Sequence, residues 1–167
     1  MLKALKRFFT DPVFAKKKDF LRSLSLFQDL SERDIGYVLQ ALHSRVYEAG
    51  EPLFLEGDIG RALFILESGH IELSRQGANG KSQRVALVEP GEFFGEMALL
   101  EHLPRSASAT AVERSQVHLF YRTRLESLLR QHPRIGVSIM HHLAKMLSSR
   151  LRKATRNMAA PDLVAES

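Results

Sequence analysis

The 167-residue sequence contains no cysteine and no tryptophan, and it has no apolar run of the length that crosses a membrane. Without cysteine it can build no disulfide framework, no thiolate nucleophile and no Cys-based zinc site, so neither a reducing nor an oxidising compartment is demanded. A bilayer-spanning helix needs roughly 20 apolar residues, and no stretch approaches that. The N-terminal segment lacks a signal-peptide core as well, because Lys16, Lys17 and Lys18 interrupt its hydrophobicity. These absences predict a soluble, cytoplasmic protein. Catalytic and metal-binding patterns are also missing. The seven histidines are dispersed, and the adjacent His141 and His142 point to different helix faces instead of forming the i, i+4 pair of a metal site. No nucleophile is spaced with a plausible base, and no carboxylates pair as metal ligands. The chain is expected to be no enzyme and to carry no metal and no cofactor.

Charge excess is absent from most of the chain. The formal net charge is +5, and residues 1–22 account for all of it, with seven basic residues against two acidic ones. The basicity therefore belongs to an N-terminal appendage, and the body is neutral. Three segments follow from this distribution and from the hydrophobic period: a basic amphipathic N-terminal segment (1–24), one globular domain (25–157) and a loose tail (158–167).

What is present is a change of period. Leu2, Leu5, Phe8 and Phe9 have helical spacing, Asp11-Pro12 stops that helix and starts another to about Leu24, and Ser31 with Asp34 reads as the cap of a further helix. From Ser44 to Tyr121 short β-prone runs alternate with glycine-bearing turns, which predicts a compact β-roll or barrel, with Asn79-Gly80 marking a hairpin. Helical period returns after Tyr121, first around Leu125, Leu128 and Leu129 and then from Arg134 to about Asn157. In that last segment Ile135, Ile139, Met140, Leu143, Met146, Leu147 and Leu151 form a broad apolar stripe.

One interruption of the β-region carries the chemistry. Phe94 to Leu100 is apolar and helix-compatible but too short for an independent helix, so it reads as one helical turn set into a sheet. A turn opened by Gly95 aims backbone N–H groups at one point, which favours an anion. Arg105, stiffened by Pro104, can lay a planar fork of donors over the same anion. Glu96 would repel a phosphate but suits a sugar hydroxyl beside it, because a carboxylate only accepts hydrogen bonds. In a 3′,5′-cyclic nucleotide the free ribose hydroxyl is the 2′-OH. Gly57, Gly60 and Gly69 read as turn residues that shape the roll with Asp58.

The run Phe94-Gly95-Glu96-Met97-Ala98-Leu99 with Pro104-Arg105-Ser106-Ala107 resembles the phosphate-binding cassette of the cyclic-nucleotide-binding domain family. Tyr47 to Glu51, Phe54 to Gly60 and Ile65 to Gly69 match as well, and the resemblance covers roughly residues 20–153. It implies an α+β fold, an antiparallel, jelly-roll-like β-roll with N-terminal helices, a short phosphate-binding helical turn and C-terminal helices. It further implies that Glu96 holds the 2′-OH and Arg105 the phosphate, that Ser106 touches phosphate or base, and that the backbone around Gly95, Met97 and Ala98 contributes. The family often closes its pocket from the last helix, which makes Ser149 or Arg150 the expected base contact. Ser106 favours cAMP over cGMP as ligand.

The expected function is a stand-alone cyclic nucleotide sensor that signals to a separate partner through helix rearrangement. The alternative is a nucleotide-independent structural or membrane-recruited adaptor that retains the fold. Partner expectations are the cyclic nucleotide, a protein partner or a homodimer through the C-terminal helix, and an anionic membrane or acidic partner for residues 1–22. No DNA-binding module is expected, since only about ten irregular residues follow Asn157. No kinase-inhibitory role is expected, since residues 1–24 hold no arginine-pair segment.

Overall fold

In the computed structural model, which describes residues 12–77 and 80–158, the chain runs from helices into strands and back into helices where its hydrophobic period changes. Pro12 opens helix α1 (Pro12–Ser23) at a position where a missing N–H has no helical partner to lose. A 3-10 turn at Ser25–Phe27 leads into α2 (Glu32–Ala41). The predicted cap is present: the Ser31 side chain accepts from the Asp34 N–H, and the Asp34 carboxylate accepts from the Ser31 N–H. Residues 1–11, with the expected helix of Leu2, Leu5, Phe8 and Phe9, and residues 159–167 lie outside the described residues. Among the described residues no helix is long and apolar enough to cross a membrane.

Eight strands follow: β1 (Leu42–Tyr47), β2 (Pro52–Phe54), β3 (Ala62–Ser68), β4 (Ile71–Gln76), β5 (Ser82–Val88), β6 (Phe93–Phe94), β7 (Ser108–Ala111) and β8 (Ser115–Tyr121). A single helical turn, α3 (Met97–Leu100), interrupts them, and α4 (Arg122–Gln131) and α5 (Pro133–Met158) come after them. The strands form two four-stranded sheets, ordered β1-β8-β3-β6 and β2-β7-β4-β5, with antiparallel pairing throughout. The fold is the expected α+β roll with helices at both ends.

Alternation along β3 explains how the layers assemble. Ala62, Phe64 and Leu66 face the space between the sheets, where Tyr47, Phe94, Val117 and Leu119 meet them. Leu63 and Ile65 face the other way and join Leu21, Leu24, Phe120, Leu125, Ile135, Ile139 and Leu143 in a helical core. A strand buried on both faces needs a continuous apolar run, and Ala62-Leu63-Phe64-Ile65-Leu66 supplies one. The stripe on α5 is thus used first on its own roll, with Leu151 exposed towards its C-terminal end.

Candidate functional site

β6 ends at Phe94, and the chain then has to turn sharply into α3. Gly95 makes that turn at φ +70°, in the left-handed region where a side chain is disfavoured. A Cβ there would also lie 2.5 Å from Arg105 Nη1. The Ala98 and Leu99 N–H groups close the turn onto the Gly95 and Glu96 carbonyls at 3.2 and 3.0 Å. The Ala98 amide, expected at the ligand, is therefore engaged within the turn, and the amides at its open start are those of Glu96 and Met97.

Arg105 arrives from the segment between α3 and β7. Two backbone bonds hold that segment against the Asp58 turn: Arg105 N–H to Asp58 O at 2.7 Å and Gly57 N–H to Arg105 O at 2.9 Å. The guanidinium donates to Gly95 O at 3.1 Å and to Ala62 O at 2.8 Å. It stacks 4.2 Å from the Phe54 ring centre and 5.3 Å from that of Phe64. Burial pushes its pKa below the ordinary arginine value, against the opposing pull of Asp58 and Glu96. No carboxylate forms an ion pair with it among the described residues. A half-buried cation, hydrogen-bonded to backbone carbonyls and stacked on ring faces, thus faces the cavity, an environment that favours an anion.

Gly60 contributes to this site in a way its sequence setting hides. Sequence reasoning makes it a turn residue; its φ lies outside the left-handed region, and a Cβ would stand 2.7 Å from Ala98 Cβ and 3.3 Å from Arg105 Cζ. Gly60 is small because α3 and Arg105 pass close to it.

Glu96 is 6% exposed, and its carboxylate pairs with the guanidinium of Arg150 from α5. Arg150 also donates to Phe93 O at 3.5 Å. Sequence reasoning places Arg150 over a base, whereas the structure places it on the acidic anchor. Ser149, the other expected base contact, is exposed and lies outside the cavity lining. Ser106 is exposed at the cavity rim and lines it.

Gly95, Glu96, Met97, Ala98, Arg105 and Ser106 all border one cavity of about 640 Å³. Phe54, Leu73, Val88 and Phe94 make its apolar wall, and Met146 and Arg150 approach from α5. Its volume suits a mononucleotide, in the range of about 300–1,000 Å³ of small-molecule sites. The apolar wall had no signal in the sequence beyond strand periodicity, because Phe54, Leu73 and Val88 belong to different strands. Among the described residues no three acidic or histidine side chains gather as a metal site.

Comparison with known proteins agrees with this geometry. Residues 44–132 match the family model described as the cyclic nucleotide-binding domain. The cyclic AMP receptor protein of Thermus thermophilus is 37% identical over 134 residues, covering 80% of this chain and 60% of that protein. The crystal structure of the Thermus thermophilus catabolite activator protein superposes with a TM-score of 0.74 at 37% identity, over 81% of this chain and 62% of that one. The N-terminal domain of a transcriptional regulator from Streptomyces coelicolor superposes with a TM-score of 0.72 at 26% identity, over 87% of this chain and 99% of that domain. These matches overturn the expectation that DNA-linked regulation is excluded. The chain parallels one domain of a transcriptional regulator and spans only about three fifths of the Thermus receptor, so the few residues after Asn157 exclude nothing.

Proposed function

This chain belongs to the cyclic nucleotide-binding domain family, and from that premise we propose that its cavity takes a 3′,5′-cyclic nucleotide, cAMP in preference to cGMP, and that α5 transmits the occupancy. The function of such a domain is binding, not catalysis. The observation that carries the proposal is Arg105, a half-buried guanidinium that bonds to backbone carbonyls and, among the described residues, to no carboxylate, in the same cavity as the buried carboxylate of Glu96. A cyclic phosphate meets Arg105 and the amides of Glu96 and Met97. The ribose 2′-OH donates to the Glu96 oxygen that Arg150 leaves open, and the purine lies between the wall of Leu73 and Val88 and the Ser106 rim.

Arg150 gives this arrangement an output. A carboxylate beside a phosphate is repulsive, and the guanidinium from α5 offsets that charge. Because one carboxylate meets both α5 and the ribose, nucleotide occupancy and the seating of α5 depend on each other, as linkage requires of any coupled pair. The cAMP preference rests on Ser106 and on the likeness to a cyclic AMP receptor.

Calorimetric titration with cAMP and cGMP side by side tests the proposal. Micromolar or tighter cAMP binding is expected, and a flat titration at millimolar cAMP would overturn the nucleotide reading in favour of an adaptor that keeps the fold. Tighter cGMP by tenfold, about 1.4 kcal/mol, would overturn the purine choice alone.

A further inference from the structure

Away from the cavity, a polar row crosses the helix-facing side of the first sheet. Ser44 on β1, His118 on β8 and Glu67 on β3 stand on three adjacent strands. Ser44 Oγ is 2.8 Å from His118 Nδ1, and His118 Nε2 is 2.8 Å from a Glu67 carboxylate oxygen. Glu67 reaches the row from an irregularity in the ladder, where the pairing of β3 with β8 shifts between Leu66 and Ser68. Helix α1 closes the row from above: Lys17 Nζ donates to Ser44 Oγ at 3.3 Å, and the Phe20 ring lies 5.9 Å from the imidazole. His118 is 1% exposed, in a sheet face that is otherwise apolar.

The chemistry of these groups gives the row one direction. An ammonium only donates and a carboxylate only accepts, so Lys17 donates to Ser44, the Ser44 hydroxyl donates to His118 Nδ1, and His118 Nε2–H donates to Glu67. Every link is satisfied when the imidazole is neutral and carries its proton on Nε2. Protonation at Nδ1 reverses the middle link. The hydroxyl then loses its acceptor, and its oxygen stands between two cations, the imidazolium and Lys17.

We infer that this row is a proton-operated latch, in which protonation of His118 releases Lys17 and loosens α1 from the roll. The charged groups that face the imidazole are Glu67 from β3 and Lys17 from α1, and Ser44 is the polar group from β1. Burial holds the His118 pKa below the ordinary histidine value, with Glu67 opposing and Lys17 adding to the fall. The latch therefore opens on acidification below the usual imidazole range. Leu21 and Leu24 share one apolar cluster with Ile135, Ile139 and Leu143 of α5, so a loosened α1 exposes the layer on which α5 rests. This inference stands apart from nucleotide binding and does not depend on it.

The test uses the whole 167-residue chain without ligand. Imidazole ¹⁵N shifts of His118 and amide exchange across residues 12–23 are followed from about pH 8 down to about pH 4, a window that reaches well below the ordinary histidine value. The expected result is a neutral Nε2–H tautomer at the alkaline end and a loss of α1 protection, after correction for intrinsic exchange, that tracks the ring titration. A ring that titrates while α1 stays protected would overturn the latch, as would α1 loosening without a ring titration. Ser44→Ala cuts Lys17 from the imidazole but keeps the Glu67 bond. It should give a weakly protected α1 at both ends of the range, and a wild-type pH response in it would also overturn the proposal. His118→Gln should abolish the response, and Ser44→Ala decides the question even if that variant does not fold.

Discussion

Arg105 already has protein acceptors, and this changes what its removal does. A residue that met only a ligand phosphate would leave the unliganded fold indifferent to Arg105→Ala. Its bonds to Gly95 O and Ala62 O remove that indifference, because they fasten the start of the cassette to β3. Arg105→Ala is expected to weaken cAMP binding by about 2–5 kcal/mol, the usual effect of removing one member of a desolvated charge pair. It should also lower the stability of the unliganded protein by about 1–3 kcal/mol, as two carbonyls lose a charged donor. Calorimetry and urea unfolding on the same preparation read the two effects separately, and unchanged affinity would remove Arg105 from the phosphate role. Glu96→Gln keeps an acceptor for the hydroxyl and should weaken binding less, by about 1–2 kcal/mol. If Glu96→Gln proves the more damaging of the two, the charge at Glu96 matters more through Arg150 than through the ribose.

Among the elements, α3 is a single turn with no core of its own, and its position depends on what lies behind it. Gly60 leaves room for Ala98 and for the Arg105 guanidinium, so Gly60→Ala pushes α3 and Arg105 out of register with each other. Overpacking of this kind costs typically about 1–3 kcal/mol, and here the loss should appear in nucleotide affinity as well as in the melting temperature. Ser31→Ala supplies the contrast. It removes the cap of α2 and should lower stability by about 1 kcal/mol, but α2 takes no part in the cavity, so the affinity is expected to stay at the wild-type value. Thermal unfolding alone would not separate these two variants. A titration with cAMP would, and equal affinity in both would show that α3 does not need Gly60.

At the scale of the molecule, the polar row on the first sheet makes global stability depend on pH. The folded-state pKa of His118 lies below that of an unfolded histidine, so around and below the ordinary value the unfolded chain binds more protons than the folded one. The neutral imidazole's contribution is therefore fully present above about pH 6.5 and is lost as the pH falls through the folded-state value. The free energy of urea unfolding should be level above that point and decline below it. His118→Gln should flatten the part of the decline that carboxylates do not cause, and an identical profile in wild type and variant would exclude His118 as its source.

Much of this protein was legible in one dimension. The unbroken apolar run Ala62-Leu63-Phe64-Ile65-Leu66 marks a strand buried on both faces, Ser31 and Asp34 mark a helix start, and the eleven residues from Gly95 to Arg105 bring an acidic anchor and a basic one into a single segment. Such features are local, set by backbone geometry and by neighbours a few residues away, so the sequence alone determined them. The tertiary structure decided which groups complete each site. Arg150 meets Glu96 across 54 positions, Arg105 meets Ala62 across 43, and Ser44 meets His118 across 74. No local propensity places an arginine, a carbonyl or a hydroxyl at such separations. Their meeting depends on the stacking of two sheets and the return of α5 over the roll, which bring distant side chains within hydrogen-bonding distance only after the whole core has closed.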